Sequence, residues 1–88
     1  MPILANKVRK QVSAVNVFFK KNDMHVSLND GREVVLPLDK ISWLNWLLIA
    51  SPPKRTRWSL EPGGFAIYWD ELDNGVEVCH LLDIHPLS

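Results

Sequence analysis

The sequence predicts an α+β fold: a three-stranded antiparallel meander followed by one or two helices, a further strand and a short C-terminal helix. Three observations carry that expectation. Short β-branched and aromatic runs occupy residues 15–36 and are separated by turn residues. Apolar side chains crowd residues 40–50 around a helical repeat, and a Gly-Gly turn introduces a second alternating run from Phe65 to Trp69. With 88 residues, 47% of them hydrophobic, the chain supports one core. We assign 1–14 to a basic N-terminal arm and 15–88 to a single α+β domain.

The elements are justified in chain order. Val15 to Phe19 reads as a strand, Lys20-Lys21-Asn22-Asp23 as a turn, and Met24 to Leu28 as a second strand. Met24, Val26 and Leu28 fall on one face of it, His25 and Ser27 on the other. Asp30-Gly31 suits a two-residue hairpin turn with both central positions at positive φ. Glu33 to Leu36 makes the third strand, which Pro37 ends because it has no N–H for a ladder. Asp39 is placed to cap a helix from about Lys40 to Ala50. Ile41, Leu44 and Leu48 mark one face of that helix. Trp43, Trp46, Leu47 and Ala50 carry apolar surface around it, so it must be buried on more than one side. Ser51-Pro52 starts a second helical turn reaching about Arg57. Trp58 to Leu60 is a brief strand and Pro62-Gly63-Gly64 a turn. Phe65, Ile67 and Trp69 share one face of the next strand, and Asp70 to Gly75 is an acidic loop. Val76 to Leu82 fits either strand or helix; a short helix, which groups Val78, Leu81 and Leu82, is favoured.

The formal net charge is zero, yet the charges are segregated. All ten Lys and Arg lie at or before Arg57, whereas Glu61, Asp70, Glu71, Asp73, Glu77 and Asp83 follow it without a cation. The two parts can neutralise each other internally or steer a charged partner. Cys79 is the sole cysteine, so no intrachain disulfide can form, which fits a cytoplasmic protein. No signal peptide is expected. No membrane span is expected either, since crossing takes about 20 apolar residues.

Enzymatic chemistry is not expected. Cys79 and His80 are adjacent, and neighbouring residues of a strand or helix point apart, so a thiol–imidazole pair is not indicated. Cys79 is expected to be buried as a small apolar residue. His25, His80 and His85 fit no metal-binding spacing, Asp70, Glu71 and Asp73 lack a calcium-loop pattern, and Gly63-Gly64 is no phosphate fingerprint. No catalytic residue, metal or cofactor is therefore assigned.

The chain carries Asp30-Gly31-Arg32, Pro37-Leu38, Trp43, Leu47, Ala50-Ser51-Pro52, Arg55, Trp58, Gly63-Gly64-Phe65, Ile67, Trp69, Leu72-Asp73 and Leu81-Leu82, in that order. By this ordered set residues 15–82 resemble a small bacterial family known as domain of unknown function 2442. The chain departs from the pattern at Asp70, where proline is usual, and at Asn74-Gly75, where an acidic pair is usual. Asn45-Trp46 replaces a common Pro-Arg, and about three additional residues precede Trp43. The resemblance implies an α+β fold in a bacterial or phage cytoplasmic protein. It also implies relatives that occur alone, fused to helix-turn-helix domains, or beside a second small gene in the manner of toxin–antitoxin pairs.

Two binding readings remain. In the first the chain is a protein-interaction module, contacting another protein or a second copy through Trp43, Trp46, Asp70, Glu71 and Asp73. Exposed aromatic area and a complementary charge are the usual determinants of such contacts. In the second, nucleic acid binds the cluster Lys54, Arg55 and Arg57 beside Trp58, helped by the basic N-terminal end. A pI near 6.8 argues against the second.

Overall fold

The computed structural model describes residues 12–82 and arranges them as two three-stranded antiparallel sheets joined by short helical turns. The first sheet comprises β1 (Ala14–Lys20), β2 (Asp23–Leu28) and β3 (Glu33–Pro37), with β2 central. The second comprises β4 (Trp58–Leu60), β5 (Ala66–Trp69) and β6 (Asn74–Glu77), with β5 central. Helices α1 (Asn45–Leu48), α2 (Pro52–Arg55) and α3 (Val78–Leu82) are each about one turn long. The α+β class and the meander are as expected. The basic arm, with Lys7, Arg9 and Lys10, lies outside the described residues, as does His85.

Period-2 alternation sets the register of the first sheet. Met24 pairs with Phe19 and Leu36, and Val26 with Val17 and Val34. These residues face inward, with Met24 and Val26 fully buried. A bulge between Ala14 and Asn16 displaces Val15, which is exposed. On the opposite face Phe18 stacks on His25 at 4.6 Å, and His25 Nδ1 lies 2.7 Å from Glu33 Oε2.

The β2–β3 turn differs from the expectation. Only Gly31 has positive φ, at 95°; Gly31 N–H donates to Leu28 O at 3.1 Å and Leu28 N–H to Arg32 O at 2.8 Å. Asn29 and Asp30 thus form the centre of a turn closed by a left-handed glycine, a three-residue loop rather than a two-residue one. The Arg32 N–H donated to one carboxylate oxygen of Asp30, with the Arg32 guanidinium on the other, holds the Asp30 carboxyl below the usual aspartate range.

The continuous helix expected over Lys40–Ala50 is absent. A 3₁₀ turn at Leu38–Lys40 gives way to extended backbone at Ile41, then a second 3₁₀ turn at Ser42–Leu44 leads into α1. Asp39 makes no capping bond, nor does the Ser51 side chain; Ser51 O accepts from Lys54 N and Arg55 N instead. The break has a packing cause. Leu38, Ile41, Leu44 and Leu47 are buried and recur every third residue, the repeat of a 3₁₀ winding. A straight α-helix would rotate one or more of them off the core.

The core runs continuously through both sheets and this linking segment. Val17, Met24, Val26 and Leu36 share one buried cluster with Leu38, Leu44 and Leu47 and with Ile67, Trp69, Val76, Val78 and Leu81. Fully burying an aliphatic or aromatic side chain contributes about 1.5–3 kcal/mol, so this cluster dominates stability. Two further expectations need correcting. Phe65 closes a 3₁₀ turn ahead of β5 and is exposed rather than sharing the face of Ile67 and Trp69. Asn74 and Gly75 leave the supposed acidic loop and, with Val76 and Glu77 from the segment favoured as helix, become β6, registered Ile67 with Val76 and Trp69 with Asn74; the short helix, α3, starts only at Val78.

Candidate functional site

The linking segment positions the residues assigned to partner contact. Leu44 and Leu47 point into the core, which turns Trp43 outward at 44% exposure and leaves Ile49, at 75%, as the most exposed large apolar residue of those described. Trp46 behaves differently. It is half-buried and meets the fully buried Trp69 edge-on, with ring centroids 5.5 Å apart and planes at 78°. Trp46 thus forms part of the wall over the core, and within the linking segment the exposed large apolar side chains are Trp43 and Ile49. Sequence reasoning missed Ile49 because it sat within a supposed continuous helix.

The acidic turn follows directly from Trp69. Asp70–Leu72 makes a 3₁₀ turn closed by Asp73, which adopts left-handed backbone at φ 49° and donates its N–H to Asp70 O at 3.1 Å. Asp73 Oδ1 accepts the Tyr68 hydroxyl at 2.7 Å, which pushes the phenol above its usual pKa near 10. Glu71 Oε2 accepts from Arg57 Nη1 at 2.6 Å. Asp70, Glu71 and Asp73 are all exposed. The Trp46–Trp69 contact sets the segment carrying Trp43 and Ile49 next to the strand end that opens this turn.

The structure takes apart the basic cluster read from the sequence. Arg55 is buried, with 8% exposure. Its Nε donates to Leu47 O at 2.9 Å, Nη2 to Leu48 O at 2.8 Å and Nη1 to Lys21 O at 3.1 Å; its guanidinium also lies 5.8 Å from the Phe19 ring centre. Arg55 is therefore a structural cation that ties α1 and the β1–β2 turn to α2, not a phosphate contact. Its carbonyl accepts the indole N–H of Trp69 at 2.8 Å. Arg57 is paired with Glu71, and Lys54 is exposed. Residues assigned to opposing hypotheses, Arg57 and Glu71, are thus bound to each other across the two oppositely charged parts of the chain.

Cys79 is exposed, correcting the expectation of burial, because Val78 and Leu81 take the inward positions of α3. Its Sγ lies 3.8 Å from Glu77 Oε1, and His80 Nε2 lies 3.7 Å from that same oxygen. The side chains of Cys79 and His80, expected to point apart, converge on one carboxylate.

Two antiparallel sheets sharing a core with three single-turn helices define a small α+β domain whose distinguishing surface is aromatic and acidic. The chain belongs to the family described as protein of unknown function (DUF2442), whose sequence profile matches residues 14–84. It is also similar to a crystal structure of a protein of unknown function from Rhodospirillum rubrum, with 17% sequence identity and a TM-score of 0.69, covering 83% of this chain and 87% of that one. That likeness concerns the fold. No curated protein matches the chain. Among the described residues, no helix is long and apolar enough to cross a membrane.

Proposed function

We propose that this domain is a non-enzymatic protein-interaction module of a bacterial or phage cytoplasm, acting as the partner or antitoxin-like half of a two-gene module. The observation that supports this reading is that Trp43 and Ile49 are both left exposed on a segment whose other large side chains are drawn into the core. An exposed tryptophan is a rigid anchor of the kind that dominates binding hot spots. The exposed carboxylates of the Asp70–Asp73 turn add complementarity to a basic partner, or to the basic part of a second copy. Nucleic-acid binding is the weaker reading, since Arg55 spends its donors on backbone carbonyls and Arg57 is paired with Glu71.

The test combines mass by light scattering with co-purification against the product of the adjacent gene. The expected result is a dimer or a complex that dissociates in the Trp43→Ala, Ile49→Ser double variant while circular dichroism and thermal stability hold. A wild-type monomer that does not bind the neighbouring product, or a complex indifferent to the double variant, overturns the assignment. Salt-sensitive retention on DNA or RNA, lost in Arg57→Glu, would favour the weaker reading.

A further inference from the structure

We propose that Glu77, Cys79 and His80 form a surface site for a divalent transition-metal ion of the zinc type. The trio supplies a carboxylate oxygen, a thiol sulfur and an imidazole nitrogen, the three donor types that zinc takes from proteins. Their donor atoms all lie within 4.8 Å of one another, with Glu77 Oε1 at 3.7 Å from His80 Nε2 and 3.8 Å from Cys79 Sγ. Zinc bonds of roughly 2.0–2.3 Å at tetrahedral angles place neighbouring donors about 3.3–3.8 Å apart. Two edges of the donor set already match that spacing, and the third lies within 4.8 Å.

The backbone that carries the donors is anchored. Val78 and Leu81 are buried on the inward side of α3, and Val78 N–H donates to Phe65 O at 2.9 Å. Glu77, at the end of β6, and Cys79 and His80, in the turn after it, are thus presented from a fixed corner of the fold. The electrostatic setting favours a cation, because the sequence beyond Arg57 contains carboxylates and no Lys or Arg. Binding is a simple exchange: the Cys79 thiol loses its proton to solvent as the metal–sulfur bond forms, and neutral His80 donates its Nε2 lone pair. Three protein donors leave a fourth position for water or for a ligand from another molecule.

The site is tested by titrating the reduced, metal-free full chain with Zn2+ by calorimetry and with Co2+ by absorbance. The expected result is one ion per chain and a thiolate-to-cobalt charge-transfer band. Cys79→Ser, His80→Ala and Glu77→Gln should each weaken Zn2+ binding by at least about tenfold, the lower bound seen when even supporting residues of metal sites are changed. Cys79→Ser should also abolish the charge-transfer band, and His25→Ala should change nothing. All three substituted side chains are exposed, so circular dichroism should remain that of the wild type. Absence of Zn2+ binding, or binding undiminished in Cys79→Ser, overturns the proposal.

Discussion

Trp69 donates its indole N–H to the carbonyl oxygen of Arg55 at 2.8 Å, while the guanidinium of that same arginine caps carbonyls of Leu47, Leu48 and Lys21. One residue of α2 is thereby joined to the second sheet through its backbone and to the first sheet and α1 through its side chain. Among the described residues no carboxylate matches the charge; three carbonyl dipoles and the face of Phe19 take that place.

Removing this cation should be costly. Hydrogen bonds to a charged group contribute roughly 1.5–3 kcal/mol each before non-additivity, and Arg55→Ala strands buried carbonyls as well. We expect a loss of about 3–5 kcal/mol in urea unfolding, a large share of the stability of a domain of this size. Arg55→Lys should recover only a minor part, because an ammonium cannot reproduce the planar fork that spans three acceptors. A change below about 1 kcal/mol for Arg55→Ala would mean that the buried guanidinium does not organise the fold. Charge reversal at Arg55 consequently cannot report on nucleic-acid binding; Arg57→Glu can.

Two of the tryptophans, Trp69 and Trp43, should separate cleanly by stability. Trp69→Ala empties a fully buried position and should destabilise by about 3–5 kcal/mol. Trp43→Ala should cost less than about 1 kcal/mol, since much of its ring already meets solvent. Equal losses of denaturation midpoint in the two variants would show that Trp43 is packed in solution and would remove it from the contact face.

The strands were legible because their side-chain repeat is unambiguous: Met24, Val26 and Leu28 alternate with His25 and Ser27, and the buried set follows suit. The linking helix was misread because Trp43 and Trp46 spread apolar character around every face of a 3.6-residue repeat, hiding the three-residue spacing of Leu38, Ile41, Leu44 and Leu47. That spacing was present in the sequence and could have been found by testing a 3₁₀ template. Of the candidate contact residues, Trp43 and the acidic turn stand exposed where the sequence put them. The role of Arg55 was not legible. Its acceptors come from residues 21, 47 and 48, a long-range arrangement that no local pattern encodes, and its neighbours Lys54 and Arg57 made it look like part of a solvated cluster.

Two glycines at positive φ should respond unequally to alanine. At Gly31, φ is 95° and an added Cβ meets nothing within 4 Å, so Gly31→Ala bears only the backbone penalty of about 1–2 kcal/mol. At Gly64, φ is 75° and the Cβ would sit 2.6 Å from the backbone oxygen of Ala14 and 3.2 Å from Ser13 Cβ. That oxygen belongs to the first residue of β1 and cannot withdraw without disturbing the sheet. Gly64→Ala should therefore be the more damaging of the two by a clear margin in chemical denaturation. Equal midpoints would show that the contact between the Gly64 turn and β1 is loose.

Tyr68 is the sole tyrosine of the chain, so its ionisation can be followed by phenolate absorbance without interference. The hydrogen bond to Asp73, with the negative charges of Asp73, Asp70 and Glu61 around it, raises its pKa above 10. The proton is held more tightly in the folded state than in the unfolded one. The stabilisation is thus complete below the unfolded pKa near 10 and is lost as pH rises through the folded value. Asp73→Gly keeps the left-handed backbone at this position without strain and removes both acceptor and charge. The phenol in that variant should titrate closer to 10, and the alkaline loss of stability should begin at lower pH by the same displacement. If the Tyr68 titration is unchanged by Asp73→Gly, the acidic turn is not held against the second sheet through this bond, and its carboxylates are oriented by the Arg57–Glu71 pair alone.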